Sequence, residues 1–484
     1  MVTRTGGTLG GPQLAALLSD AAAARPAYRS LARAISALIL DGRIALHVRL
    51  PAERDLAAAL GASRATVTAV YDLLRASGFA RSRRGAGTWT DLPADHAPRG
   101  VARLLGAEDR AIDLARAAPE PPERLLTDAL ARVTSHLAEH TRTPGYHPYG
   151  LAPLRAAIAE RFTRRGLATV PEQILVTSGA QHALSLVLGL LARPGDRVLT
   201  ENPTYPNALD ALRRARLRTV PVPVTDEGWD AEITESTLRE AVPSLAYLIP
   251  DFHNPTGRLM PDATRARVLR AAARSGTWLV ADETLTELAL DVPPPAPFAA
   301  HAAPGGGAQV VTVGSLSKTH WAGLRVGWLR APARLVTELA GQRVATDMGG
   351  PVLDQLLALD LLTDTDDPLP SRLALARERR AALTAALAAH VPGWRWRTPP
   401  GGLALWVDLG EPVASALAGR AREYGVRIEG GAYFGTDPGV FEQRLRIPYT
   451  LPPDTLREAV RRLAAALADD RTRHPAPRPP HWIA

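Results

Sequence analysis

From residue 112 to residue 468 of this 484-residue chain, short aliphatic runs alternate with helical stretches, and that alternation limits the fold more than any other feature. Strands are expected at 174–177 (ILVT), 197–200 (RVLT), 245–250 (LAYLIP), 277–281 (TWLVA) and 310–313 (VVTV). Parallel strands need a crossover of a dozen or more residues, usually a helix, whereas antiparallel ones can be joined by a tight turn. The pattern therefore specifies an α/β domain with a mostly parallel sheet. A later strand at 403–409 and a helix at 454–469 indicate a smaller C-terminal α/β subdomain, followed by a Pro-rich tail at 469–484. No internal repeat is visible.

The first 111 residues read differently, so the chain is expected to be multidomain. Residues 1–25 are rich in Gly and Ala and are expected to be a flexible lead-in. From Tyr28 the apolar residues Leu31, Ile35, Leu38 and Ile39 recur at helical spacing until Asp41-Gly42 stops them. The segment LPAERDLAAAL runs into Gly61, and Ser63 is placed to cap a helix reaching about Ala76. Two short helices joined by a tight Gly-containing turn are followed by FARSRRGAGTWT (79–90), which reads as a hairpin. A small α+β domain is thus expected at 26–90 and a linker at 91–111.

Charge divides the chain at the same place. The net charge is +8, yet residues 1–90 hold twelve arginines against five acids, while the other 394 residues hold 45 basic and 44 acidic groups. Positive charge gathered on one small segment is the electrostatic footprint of a nucleic-acid reader. A basic arm with no further role would give the same total. On the helix that starts at residue 64, Arg64 and Thr66, with Ser63 at its cap, would meet base edges in a DNA major groove. Arg54, on the preceding helix, would reach phosphate or base, and Arg81, Arg83 and Arg84 on the hairpin would reach phosphates or the minor groove.

Several classes of function are excluded. With no cysteine, the chain can form no disulfide scaffold, no cysteine-ligated zinc site and no thiol nucleophile, and no metal is expected. No stretch approaches the roughly 20 apolar residues of a membrane span. The Ala-rich stretch at 14–24 is broken by Ser19 and Asp20, unlike a signal peptide. A cytoplasmic protein without membrane association is expected.

Of the 57 basic residues only Lys318 is lysine; the other 56 are arginine. Lysine alone combines a primary amine with a pKa that burial can depress, so it can form a Schiff base with an aldehyde where arginine cannot. Lys318 lies in GSLSKTHWAGLRVGW, just after VVTV, and Arg325 seven residues on offers a bidentate donor for a phosphate beside Ser315 and Ser317. Asp282 follows TWLVA, where a carboxylate can pair with a protonated pyridine nitrogen. In VTSGAQHAL the small residues Ser178, Gly179 and Ala180 open a helix whose N–H groups can approach a phosphate. HNPTG puts Asn254 at the C-terminal end of a strand, where α/β proteins bind ligands. Tyr205, in ENPTYPN, is placed to stack on an aromatic ring.

Residues 28–90, through AISALILDGRI, LPAERDLAAALGASRATVTAVYDLLRASGF and RRGAGT, resemble the winged helix-turn-helix of the GntR family. The series SGAQ, NPTYP, NPTG, ADE and SLSK…R, over residues 112–468, resembles the fold-type I, pyridoxal phosphate (PLP)-dependent aminotransferases of class I/II. This second resemblance implies PLP held in a Schiff base by Lys318, with Asp282 on the pyridine nitrogen, Asn254 on the ring hydroxyl and Tyr205 stacked on the ring. It implies that Ser178, Gly179, Ala180, Ser315 and Arg325 hold the phosphate, and that Tyr146, in GYHPYGLAPLR, reaches the neighbouring subunit's phosphate. Arg446, in RLRIPYT, matches the arginine that binds a substrate α-carboxylate, with Arg444 as its rival. One departure stands out: the family's tyrosine two or three residues after the aspartate is replaced by Thr284 and Leu285. That implies blunted turnover with cofactor binding retained.

Together the two halves resemble the MocR (GabR-like) bacterial regulators. The resemblance implies a homodimer, head-to-tail, that binds a double-stranded DNA operator carrying direct or inverted repeats. Its PLP domain would sense an amine, an amino acid or PLP itself. An active aminotransferase carrying an accessory DNA-binding domain is the alternative.

Overall fold

The computed structural model describes residues 8–18, 27–41, 43–83, 87–91, 111–121, 123–303, 305, 307–363, 368–437 and 439–469. Most of the expected linker and tail therefore lies outside the described residues.

The N-terminal unit packs helices Ala27–Leu40, Glu53–Leu60 and Arg64–Ala76 against an antiparallel hairpin of Ala80–Arg83 and Gly87–Thr90. Gly61 closes the middle helix in the left-handed region (φ 61°), and the Ser63 hydroxyl accepts from the Thr66 amide at 3.1 Å to open the next. Leu31, Ile35, Ile39, Val67, Val70, Tyr71 and Leu74 form the core. Each buried aliphatic side chain of this size contributes roughly 1.5–3 kcal/mol. The Tyr71 hydroxyl stays satisfied inside that core by donating to the Pro51 carbonyl at 2.8 Å.

One expectation fails here. The lead-in at 1–25 is not wholly flexible, because Gly11–Leu17 is a helix whose Leu14 is fully buried, with Leu18 buried just beyond its end. Those two leucines, four apart, sit on one helical face and join the domain core. The surrounding Gly and Ala residues concealed that short apolar stripe.

The body is built on an eight-stranded sheet. Its spatial order is Ile174–Thr177, Gly327–Arg330, Val310–Ser315, Trp278–Asp282, Leu245–Leu248, Arg197–Asn202, Arg218–Thr225 and Gly228–Trp229. All but Gly327–Arg330 and the edge strand Gly228–Trp229 run in one direction. Every expected strand is present to within two residues at each end. Arg218–Thr225, Gly228–Trp229 and Gly327–Arg330 are additions, the last reading in sequence only as the continuation of the lysine segment.

The smaller unit combines strands and helices as expected, and its four-stranded sheet is antiparallel, ordered Arg395–Trp396, Ala404–Asp408, Arg444–Pro448 and Glu429–Gly430. Helices Leu369–His390 and Pro453–Ala468 pack beside it over a shared core that includes Leu383, Leu387, Leu405, Ile447 and Leu463. Ile112–Asp113, where the described body begins, pairs with Val426–Arg427 of this unit. The N-terminal domain rests on the same unit. The Phe441 amide donates to the Leu40 carbonyl, the Gln443 amide group donates to the Asp41 carboxylate, and Leu46 packs against the cluster of Trp406, Phe434, Val440 and Phe441.

Among the described residues no helix is long and apolar enough to cross a membrane.

Candidate functional site

Residues far apart in sequence meet beyond the C-terminal ends of the central strands, where a parallel sheet presents its ligands. Asp282 ends its strand and is buried. Its Oδ2 accepts from the Tyr247 hydroxyl at 2.7 Å and its Oδ1 from the Thr284 amide at 3.0 Å. Burial raises the Asp282 pKa, while the bonds from Tyr247 and Thr284 and the charge of Lys318 draw it down. Tyr247 was not anticipated from the sequence. It lies in the middle of an apolar strand, where a tyrosine reads as core.

Lys318 follows the strand Val310–Ser315, and its Nζ donates to the Ala117 carbonyl at 2.8 Å. Burial, with Arg446 and Arg325 nearby, lowers its pKa to about 8 against the opposing pull of Asp282. The amine therefore gives up its proton more readily than an ordinary lysine, as a nucleophile requires.

The phosphate side is made by close backbone approach. Gly179 caps the helix Ala180–Leu191 with φ 98°, and a Cβ there would meet Arg325 Nη2 at 2.8 Å. A Cβ on Gly327 would strike Gly179 Cα at 2.6 Å. Only glycines let the helix N-terminus, the strand and the Arg325 guanidinium converge. Arg325 Nη2 donates to the Ser178 carbonyl at 2.6 Å, and the hydroxyls of Ser315 and Ser317 lie 2.9 Å apart beside it.

Tyr205 begins the helix Pro206–Arg214, and its hydroxyl accepts from Asn207 at 2.7 Å. Asn254 Oδ1 accepts from Arg446 Nη1 at 3.3 Å. Arg446 is buried, donates to the Ala115 carbonyl, and stands over the Phe434 ring at 4.8 Å. Its Nε is buried with no partner among the described residues. Burial lowers its pKa to about 10, opposed first by Glu429. Its rival Arg444 is committed elsewhere, to Asp226 at 3.0 Å and Asp408 at 3.6 Å. Tyr146 is 65% exposed and stands apart from this cluster.

Leu285, buried among Phe252, Leu288 and Leu403, occupies the position where the family's tyrosine is absent. The set as a whole fits PLP. It offers a reactive amine, a buried carboxylate for a ring nitrogen, an amide, an aromatic neighbour and a glycine-lined cradle for phosphate.

A second site lies on the N-terminal domain. Arg64, Arg54 and Arg81 have side chains 77%, 83% and 79% exposed, and each keeps an acidic neighbour: Glu53 at 3.6 Å, Asp55 at 3.1 Å and Asp91. Thr66 shares a 2.8 Å hydrogen bond with the Ser63 hydroxyl. The Arg83 side chain and Arg84 lie outside the described residues. Arg49, which sequence reasoning missed, is exposed and lies against the hairpin, its Nε 2.7 Å from where a Cβ of Gly87 would stand. It sits in a short connection that carries no helical or strand signal.

Comparison with known proteins identifies both domains. The family model for aminotransferase class I and II matches residues 110–463, and that for bacterial regulatory proteins of the gntR family matches residues 27–89. The chain is 30% identical over 411 residues to the uncharacterized HTH-type transcriptional regulator YisV of Bacillus subtilis (strain 168), covering 79% of this chain and 84% of that one. It is 32% identical to the probable rhizopine catabolism regulatory protein MocR of Rhizobium meliloti, covering 69% and 70%. LysN, the α-aminoadipate aminotransferase of Thermus thermophilus solved with N-(5'-phosphopyridoxyl)-L-leucine, superposes with a TM-score of 0.68 at 32% identity, over 75% of this chain and 95% of that one. With a GntR-type DNA-binding domain joined to a class I and II aminotransferase body, this chain belongs to the MocR subfamily of GntR transcriptional regulators.

Proposed function

We propose that this regulator binds operator DNA through its winged helix and senses an amine or amino acid through a PLP-dependent body. The observation that carries this reading is the union, in one chain, of an exposed arginine-bearing helix pair with an enclosed Lys318–Asp282–Arg446 cleft. When bound, PLP supplies an aldehyde that takes up amines and a ring that withdraws electrons.

In this reading Lys318 supplies the neutral amine that anchors the cofactor, and Asp282, steadied by Tyr247, holds the proton on the ring nitrogen. Asn254 orients the ring hydroxyl and Tyr205 stacks on the ring. Ser178, Gly179, Ala180, Ser315 and Arg325 hold the phosphate. Arg446 rather than Arg444 receives an effector carboxylate, because Arg444 is already paired with two aspartates. Tyr146, exposed in the single chain, completes the phosphate site of the neighbouring subunit in a head-to-tail homodimer. Arg64, Thr66 and Ser63 read bases, while Arg54, Arg81, Arg83 and Arg84 hold the backbone.

An active aminotransferase is the competing reading. Buried Leu285 in place of the family's tyrosine favours a sensor, since the ring hydroxyl then lacks that donor.

The test is a gel shift on the DNA upstream of the gene, with and without PLP and a panel of amines and amino acids, alongside visible spectra. The wild type should be yellow and its DNA affinity should respond to an effector. Lys318→Ala should be colourless and unresponsive. A wild type that stays colourless after incubation with PLP refutes the cofactor assignment. Rapid multiple turnover of amino acids without any effect on DNA would favour the enzyme.

A further inference from the structure

Leu46 of the N-terminal domain and Arg446 of the body both pack against one cluster of aromatic rings. Arg446 stands 4.8 Å over Phe434, and Phe434 packs edge-on against Trp406 at 5.7 Å. Trp406 in turn meets Phe441 at 6.1 Å. Leu46 of the N-terminal domain packs on this cluster and also on the core of its own domain, so one side chain belongs to both. Around it runs a polar rim: the Phe441 amide donates to the Leu40 carbonyl and the Gln443 side chain to the Asp41 carboxylate. Burial holds the Asp41 carboxyl up at about 6, with Arg444 and Arg43 pulling it down and Asp408 and Asp226 pushing it up, so the rim is enclosed.

Two more features set this contact apart from casual packing. Phe441 has φ 60°, a left-handed conformation that a bulky residue holds only where its surroundings impose it. The strand Arg444–Pro448 also serves both sides. Its alternate residues Arg444 and Arg446 share one face, the first at the rim and the second in the cleft.

We propose that Trp406, Phe434 and Phe441 form the joint through which occupancy of Arg446 is read by the DNA-binding domain, with Leu46 as the follower and Asp41–Gln443 as the latch. This rests on Arg446 being the effector's carboxylate site. A ligand shifts an equilibrium only by its differential affinity for the two states. A carboxylate on Arg446 neutralises the guanidinium that lies over Phe434, and so weakens the attraction between that cation and the ring. Packed aromatic layers change between discrete arrangements rather than deform continuously. A displaced Phe434 therefore alters the cluster on which Leu46 sits.

The test uses full-length protein and measures DNA affinity by fluorescence anisotropy and amino-acid binding by cofactor absorbance. In the wild type, a saturating amino acid should change DNA affinity by roughly 5-fold or more, and operator DNA should change amino-acid affinity by the same factor. Leu46→Ala should leave each affinity, measured alone, within about twofold of wild type while bringing both coupling factors close to one.

A second variant controls for folding. Because the chain has no cysteine, Asp41→Cys with Gln443→Cys offers only two thiols to a short, reducible methanethiosulfonate cross-linker. The link should form within one chain, keep the absorbance response to amino acid, and abolish the DNA response until dithiothreitol restores it. A Leu46→Ala protein with wild-type coupling, a linked protein that still responds, or a link that forms only between chains would each overturn the joint. If the wild type shows no absorbance change with any amino acid, the reading of Arg446 fails first and the joint falls with it.

Discussion

The two functional regions of this protein use cationic side chains in opposite ways. In the N-terminal domain Arg54, Arg64 and Arg81 stand in solvent, each beside an acidic neighbour. In the body Lys318 and Arg446 are drawn into a cleft where burial lowers both pKa values. An exposed guanidinium can follow a polyanion's backbone and gain by releasing its counterions. An enclosed amine or guanidinium costs desolvation and repays it only when a matching small ligand arrives. The contrast separates a surface that reads a long polymer from a pocket that holds one small molecule.

The sharpest way to break the contrast is at the core of the N-terminal domain. Leu14→Ala should cost about 2–5 kcal/mol in the unfolding of the N-terminal domain, because a fully buried leucine leaves a cavity. Chemical denaturation followed by circular dichroism measures it, and a cost below about 1 kcal/mol would return the lead-in helix to the status of an appendage.

Next in size is the cleft. Arg446→Gln should weaken the spectral response to α-amino acids by about 100-fold, the loss of one charge-assisted, desolvated carboxylate site. Amines without a carboxylate should keep their response. Equal losses for both would show that Arg446 supports the cleft rather than the ligand.

On the exposed side, Arg64→Ala should cost operator binding about 1–3 kcal/mol and random DNA much less, if it contacts a base. Anisotropy titrations on both DNAs at one salt concentration decide this. Equal losses would assign Arg64 to phosphate.

The smallest effect is a pH dependence. With the Lys318 pKa lowered to about 8, the neutral amine grows about tenfold per pH unit below that value and levels off above it. The rate at which apoprotein takes up PLP should follow that curve. A rise that continues to about pH 10, the range of an ordinary lysine, would mean that the amine is not held in a desolvating environment.

Much of this was legible in the sequence. Helix ends set by Gly61 and Ser63 depend on φ and on a hydroxyl three residues from an amide, so they were read to within a residue. The strands and the order of the cofactor motifs were read for the same reason, since strand-to-ligand turns are local. Tyr247 was missed because its partner Asp282 is 35 residues away, and nothing near Tyr247 marks it as polar. The match of RLRIP to the family pointed to Arg446 and left Arg444 as its rival. The two are two residues apart on one strand face, and what differs is their distant partners, Asp226 and Asp408 for one and Asn254 for the other.

Sequence alone was thus enough for the local elements, the segregation of charge and the need for a primary amine at position 318. These follow from backbone conformations and side-chain chemistry that each residue carries with it. Tertiary packing decided which cations are enclosed, which aspartates neutralise Arg444, and that Leu46 and Arg446 pack against one aromatic cluster. Burial and pairing are properties of a neighbourhood, and in this chain the neighbours come from 35 residues away for Tyr247 and Asp282 to 218 for Arg444 and Asp226.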